Sequence, residues 1–239
     1  MKQHYNNYTN EDRVVWKTLF ERQYSNLENK ACKEYLTALD EMDLVLNSEQ
    51  IPIFEALNTT LKQKTGWTIE VVKGLIPPED FFHLLAQKRF CSSTWLRTMN
   101  QLDYLEEPDM FHDIFGHVPL LMNEEYANFM FRFGQLGSQH SENKLIVKML
   151  QRLYWFTIEF GLMNSPTGAK IYGAGIASSF GESIHSLSQE VDVRKFNLEE
   201  IINRSFCSSE IQTTYYSINT FDELFKSVKE FGELILVKG

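Results

Sequence analysis

The stretch LIVKMLQRLYWFTIEFGL, residues 145 to 162, has the spacing of a long helix with one apolar face, and Glu159 falls within that face. Trp155 and Phe156 stand about one turn before the acid and Leu162 about one turn after it, with no Lys or Arg within a turn. A carboxylate in such surroundings is costly unless a proton, a cation or a metal compensates it. The fold must therefore bring a partner to Glu159 from elsewhere in the chain. A distant basic side chain would serve, and so would other ligands sharing a metal ion with it.

Candidates for that second role lie in FHDIFGH, residues 111 to 117. Pro108, with Glu106 and Glu107 before it and Asp109 after it, marks a helix start and puts His112 about one turn in. On an ideal α-helix, residues five apart lie about 140° around the axis, so His112 and His117 cannot face one point on a regular helix. Gly116 can take a left-handed, helix-ending conformation, and Pro119 disfavours the helical region for Val118. The chain is expected to leave the axis there and swing His117 back. Two imidazoles and a carboxylate are the facial set that holds ferrous iron with positions left open, although zinc accepts the same ligands. Aromatic residues make up 13% of the chain, which favours a deep apolar pocket, and oxygen chemistry needs such a dry cavity. Phe81, Phe111, Tyr154 and Trp155 are candidates for its wall.

The remaining pattern is mainly α with small β pieces. Thr9 and Asp12 spell a capping box ahead of Trp16, Leu19 and Phe20. A second helix carries Cys32, Tyr35, Leu36 and Leu39; a third has Pro52 in its first turn, Phe54, Leu57 and Leu61 on one face, and Gly66 at its end. WTIEVVKG, from residue 67, and TTYYSI, from 213, read as strands; residues 79 to 87 and FDELFKSVKEF, from 221, read as helices. No linker interrupts residues 1 to 239, so one compact domain is expected, with N-terminal helices over about 9 to 66 and a core from about 67 onward. A net charge of −9 repels phosphate backbones and anionic lipid, which argues against nucleic acid and membrane partners and leaves neutral or zwitterionic small molecules open. The start MKQHYNNYTNEDR has no apolar core of a signal peptide, and no run of 18 apolar residues occurs. Cys32, Cys91 and Cys207 are odd in number and far apart, which fits buried or inert thiols in a reducing, cytoplasmic setting.

Three segments in order, EEPDMFHDIFGHVPLL (106 to 121), YWFTIEFGLMN (154 to 164) and IYGAGIASSFGES (171 to 183), resemble the pterin-dependent aromatic amino acid hydroxylases, above all their bacterial members that act on phenylalanine. The resemblance runs from about Trp67 to the C-terminus and weakens in the N-terminal helices. It implies a catalytic domain alone, acting as a monomer. It also implies that His112, His117 and Glu159 bind Fe(II), while tetrahydrobiopterin or a related reduced pterin supplies two electrons for splitting oxygen. The substrate would be an aromatic amino acid, most simply phenylalanine converted to tyrosine, with tryptophan and tyrosine as alternatives. GLIPPEDFF matches the family's pterin loop, which makes Phe81 the stacking partner of the pterin, with Ile76 and Asp113 nearby. Arg97 falls where the family holds the substrate carboxylate; Pro108, Trp155 and Ser178 would frame the side-chain pocket, and Glu182 would orient a neighbouring ligand. Leu105 and Asp113 depart from the threonine and glutamate of the animal enzymes.

Two further motifs carry less. Gly173-Ala-Gly175-Ile-Ala-Ser178 nearly spells a dinucleotide fingerprint, but it ends in Ser and no parallel βαβ pattern is expected around it, so its small residues serve a pocket floor. Glu182 and His185 form an E-x-x-H, which two-metal bundles use in pairs, and no second copy occurs. The rival readings are a zinc hydrolase on the same three ligands and a helical interaction protein without chemistry.

Overall fold

The computed structural model describes residues 1–103 and 105–238. Three N-terminal helices, α1 (Asn10–Leu27), α2 (Lys33–Glu41) and α3 (Phe54–Lys64), lead into β1 (Thr68–Val71), α4 (Pro78–Leu85) and β2 (Arg89–Ser92). After a long irregular stretch come the histidine segment and then α5 (Glu124–Gln139) and α6 (Lys144–Tyr154). The last third comprises β3 (Gly161–Ser165), β4 (Gly168–Ile171), α7 (Ala174–Ala177), α8 (Phe180–His185), β5 (Asp192–Lys195), α9 (Leu198–Asn203), β6 (Thr214–Ile218) and α10 (Phe221–Lys238). Strands β1 and β2 pair in parallel; the other four form a mixed sheet in the order β4-β3-β6-β5, antiparallel only between β3 and β4. Helix α4 and helix α9 thus each join two parallel neighbours, so two small βαβ units exist after all. Neither contains Gly173–Ser178, which instead opens α7 behind an antiparallel strand.

Local chemistry accounts for the helix starts. Thr9 Oγ1 accepts the Asp12 N–H at 3.1 Å while Asp12 accepts the Thr9 N–H at 2.7 Å, closing the capping box. Helix α3 begins two residues beyond Pro52, and Gly66, at φ 81°, follows its end. The histidine helix begins at Met110, one residue past the cap rather than at Pro108. Asp109 is that cap, with Oδ1 accepting the His112 N–H at 3.1 Å.

The two ligand segments depart from the expected geometry in the same way. Residues His112–His117 and Trp155–Glu159 are π-helical turns, and the second is closed by the Phe160 N–H on the Trp155 carbonyl at 2.9 Å. A π turn closes on i→i+5 bonds, so its wider loop brings the fifth residue back toward the first. His112 and His117 meet because the helix widens between them. It does not end there: Gly116 is not left-handed, and Val118 stays helical at φ −64°, ψ −38° before Pro119 opens a 3-10 turn. Gly116 serves close approach instead, since a Cβ there would stand 2.8 Å from the Ala174 carbonyl oxygen in α7. Likewise the apolar helix from residue 145 ends at Tyr154, passes through the π turn and becomes β3 at Gly161.

The N-terminal helices share one apolar cluster with the rest of the chain. Trp16 meets Phe111 at 5.6 Å and Phe20 meets Phe115 at 5.2 Å between ring centroids, so α1 packs on the histidine turn. From α2, the Tyr35 hydroxyl donates to the Phe115 carbonyl. Gln23 Nε2 donates to the Ala177 carbonyl at 2.7 Å, and Cys32 and Lys30 bond Ile171 through their backbones. Tyr35→Phe is expected to leave that buried carbonyl unsatisfied and to cost about 1–3 kcal/mol in urea unfolding, with the secondary structure kept. Phe111, proposed above as cavity wall, is instead core, stacked on Phe115 at 4.8 Å. Among the described residues, no helix is long and apolar enough to cross a membrane.

Candidate active site

The histidine turn, the π turn that follows α6, and α7 come together at the floor of one cavity of about 690 Å³. His112 Nε2 and His117 Nε2 face each other at 3.2 Å; Glu159 Oε1 lies 3.2 Å from the His117 nitrogen and Oε2 lies 3.6 Å from that of His112. All three ligand atoms fall within 4.8 Å of one another. The Ser178 hydroxyl donates its only hydrogen to the Ala174 carbonyl at 2.8 Å, so toward His112 Nδ1, at 2.9 Å, it can only accept. That places the proton of His112 on Nδ1 and turns the Nε2 lone pair toward the centre.

Electrostatics support the same arrangement. Burial pushes the Glu159 carboxyl up, but His117 and His112 together outweigh it and hold the group well below the usual carboxylate range. Burial opposes charge on both imidazoles; Glu159 overcomes it at His112, which is raised, and not at His117, which is lowered. One proton can bridge the two facing nitrogens, but it cannot at the same time serve both Glu159 oxygens that point to the same centre. A divalent cation is the partner that satisfies all three donors, and this donor set fits ferrous iron as it fits zinc.

Around this floor, Ile76, Phe81, Arg97, Pro108, Asp113, Tyr154, Trp155, Ser178 and Glu182 line the cavity beside the three candidate ligands, and Phe111 alone of the proposed wall does not. Nothing before Val72 does so among the described residues, so the N-terminal helices buttress the site and do not cover it. Phe81 stands edge-on to Tyr154 at 5.3 Å, and His117 lies 4.8 Å from Phe90. Asp113 accepts the Ser93 N–H at 2.9 Å, and burial lifts its carboxyl to about 7. Gly175 is small because a Cβ would stand 3.0 Å from Glu159 Oε2.

Arg97 is held by a residue the sequence reading used only as a helix signal. Asp109 takes Arg97 Nε and Nη2 on its two oxygens, both at 2.9 Å, and neither side chain is more than 8% exposed. The D-x-x-H spacing of Asp109 and His112 was the available signal, an acid too close to the histidines to be solvated. Glu182 needs correction: its oxygens accept Tyr215 Oη at 2.6 Å and the Gln212 N–H at 3.2 Å, and it has no bond to any of the three ligands. Ser178 is the side chain bonded to one of them, His112. Burial lifts the Cys32 and Cys91 thiols to about 12, and Cys207 is exposed on the loop before β6.

The sequence matches the family model for biopterin-dependent aromatic amino acid hydroxylases over residues 3–238. The chain belongs to this family. The match takes in the N-terminal helices, where the resemblance read from motifs weakens. Phenylalanine-4-hydroxylase of Ralstonia nicotianae is 44% identical over 230 residues, covering 96% of this chain and 72% of that protein. Phenylalanine hydroxylase of Chromobacterium violaceum, solved with iron(III) and oxidised 7,8-dihydrobiopterin, superposes with a TM-score of 0.93 at 42% identity, covering 100% of this chain and 86% of that one. Tyrosine 3-monooxygenase of Canis lupus familiaris is 31% identical over 232 residues, 95% of this chain and 46% of that protein. Membership in the hydroxylase family removes the ground for a zinc hydrolase or an inert helical protein.

Glu182 offers a test of local electrostatics within this hydroxylase. Burial raises its carboxyl above the usual value. A raised acid contributes stability below its unfolded value that is lost as pH rises through the folded one. Glu182→Gln lacks that loss, so relative to the parent it is expected to gain stability between pH 4 and 7, as read by urea melts at both.

Proposed function

We propose that this chain is an iron-dependent phenylalanine 4-monooxygenase, with His112, His117 and Glu159 as the metal ligands. The observation that carries the reading is the convergence of these three donors on the floor of a cavity that also holds a buried arginine and an aromatic wall. When bound, ferrous iron and a reduced tetrahydropterin supply the reductive activation of dioxygen: one oxygen atom enters the substrate ring, the other leaves as water, and the pterin provides two electrons.

The protein's part is position and dryness. Arg97 keeps guanidinium donors beyond the two that Asp109 occupies, and these receive the substrate carboxylate. Trp155 and Pro108 border the ring of the substrate. Phe81 stacks on the pterin, with Ile76 and Asp113 beside it. Ser178 keeps His112 in the tautomer that ligation needs. The ordering of relatives favours phenylalanine, since the Ralstonia phenylalanine hydroxylase is 44% identical and the canine tyrosine enzyme 31%. Three free cysteines fit a reducing cytoplasm.

Purified protein given ferrous iron, a tetrahydropterin, oxygen and each aromatic amino acid in turn is expected to form tyrosine from phenylalanine. Full iron loading with no product from any of them ends the proposal.

A further inference from the structure

The E-x-x-H pair of α8 has a use that involves no metal. Glu182 Oε1 accepts the backbone N–H of Gln212 at 3.2 Å, and His185 Nε2 stands 3.0 Å from the carbonyl oxygen of the same residue. A carbonyl oxygen only accepts, so His185 carries a proton on Nε2 and donates it. The second oxygen of Glu182 takes the Tyr215 hydroxyl, which fixes the carboxylate from the far side. One helical turn therefore grips both polar groups of a single peptide residue on the segment before β6.

Gln212 turns its side chain the other way. It is 7% exposed, and its Nε2 donates to the carbonyls of Cys207 at 2.9 Å and Glu210 at 2.7 Å. Its Oε1 accepts the indole N–H of Trp155 at 3.0 Å. One acceptor and two donors match one indole N–H and two carbonyls, an assignment that glutamate and methionine cannot reproduce. The bonded carbonyls belong to the 206–211 segment, whose Phe206 stacks on Trp155 at 4.4 Å with 11° between planes. Phe160 lies 4.5 Å from the same indole, and Trp155, Phe206 and Ile211 all line the cavity.

We propose that Glu182, His185 and Gln212 form a clasp that holds the 206–211 segment against Trp155 and so sets where the aromatic wall stands relative to the substrate ring. They are positioning residues, and the proposal rests on reading the cavity as the aromatic amino acid site. Trp155 opens the same π turn that ends at Glu159, so an indole set loose shifts the substrate relative to the ligands. Misplacement on the order of 1 Å is enough to cost about a hundredfold in rate.

Gln212→Met keeps the length of the side chain and removes its three hydrogen bonds. In the iron-loaded protein, hydrogen–deuterium exchange of the 205–213 segment is expected to accelerate about tenfold or more. The KM for phenylalanine is expected to rise about tenfold, while iron content and the KM for pterin stay within about twofold. Gln212→Glu, which keeps the indole acceptor and sets a carboxylate against two carbonyls, should speed exchange as well. Exchange or phenylalanine KM within about twofold of the parent in folded, iron-loaded Gln212→Met overturns the clasp. Should that variant lack a cooperative melt, His185→Phe, which cuts one backbone arm, is read by the same two measurements and thresholds. A parent protein that hydroxylates no aromatic amino acid counts against the proposed function, whereas the exchange reading still decides whether the clasp exists.

Discussion

Glu159→Gln is expected to abolish iron binding at micromolar metal and, with it, hydroxylation. Removing a residue that merely orients a ligand typically lowers metal affinity about 10–100-fold, and loss of the carboxylate itself must exceed that range. The substitution replaces the one anion facing two imidazoles by a neutral amide of nearly the same shape, so the fold should survive. Metal analysis after dialysis against a weak chelator, paired with a thermal melt, separates the outcomes. A variant that still retains stoichiometric iron would show that the three groups are not a ligand set. Unchanged iron together with higher stability would mark Glu159 as a buried charge that the fold leaves poorly compensated.

Asp109→Asn should produce the largest loss of stability. The Arg97–Asp109 pair is almost wholly buried and doubly bonded, and the same carboxylate caps the histidine turn through the His112 N–H. Breaking such a pair by removing one charge strands the other, at a cost of about 3–5 kcal/mol. Urea unfolding at neutral pH measures it, and a change below about 1 kcal/mol would show that Arg97 finds other compensation. The variant that folds should also bind phenylalanine more weakly, because the guanidinium loses its fixed orientation, whereas its iron content should stay near that of the parent.

Much of the site was legible because its chemistry is conspicuous in one dimension. An acid among Trp155, Phe156 and Leu162 has few structural explanations, and two histidines near it in the fold supply the missing partners. The mode of convergence was not legible. Five-residue spacing rules out a regular α-helix, but Gly116 and Pro119 suggest an ending, and only the packing of α7 on Gly116 shows that the chain widens into a π turn. Glycines that permit close approach and glycines that permit left-handed backbone are spelled alike. Glu182 was misassigned for a related reason: α8 puts it on the cavity, but Tyr215 and Gln212, far along the chain, claim its oxygens. Strands β2 to β5 went unread because four or five residues are too few to display a period, and β5 is exposed throughout; α5 was missed although its buried residues recur at helical spacing.

The bonds from Gln23 to Ala177, from Lys30 and Cys32 to Ile171, and from Tyr35 to Phe115 join the start of the chain to parts made much later. These pairings are long-range, so α1 and α2 can begin to pack on Phe111 and Phe115 but complete their docking only once Ile171 and Ala177 exist. A chain truncated before β4 is therefore expected to leave α1 and α2 without their backbone seam, exposing the apolar face they otherwise share with the later segments.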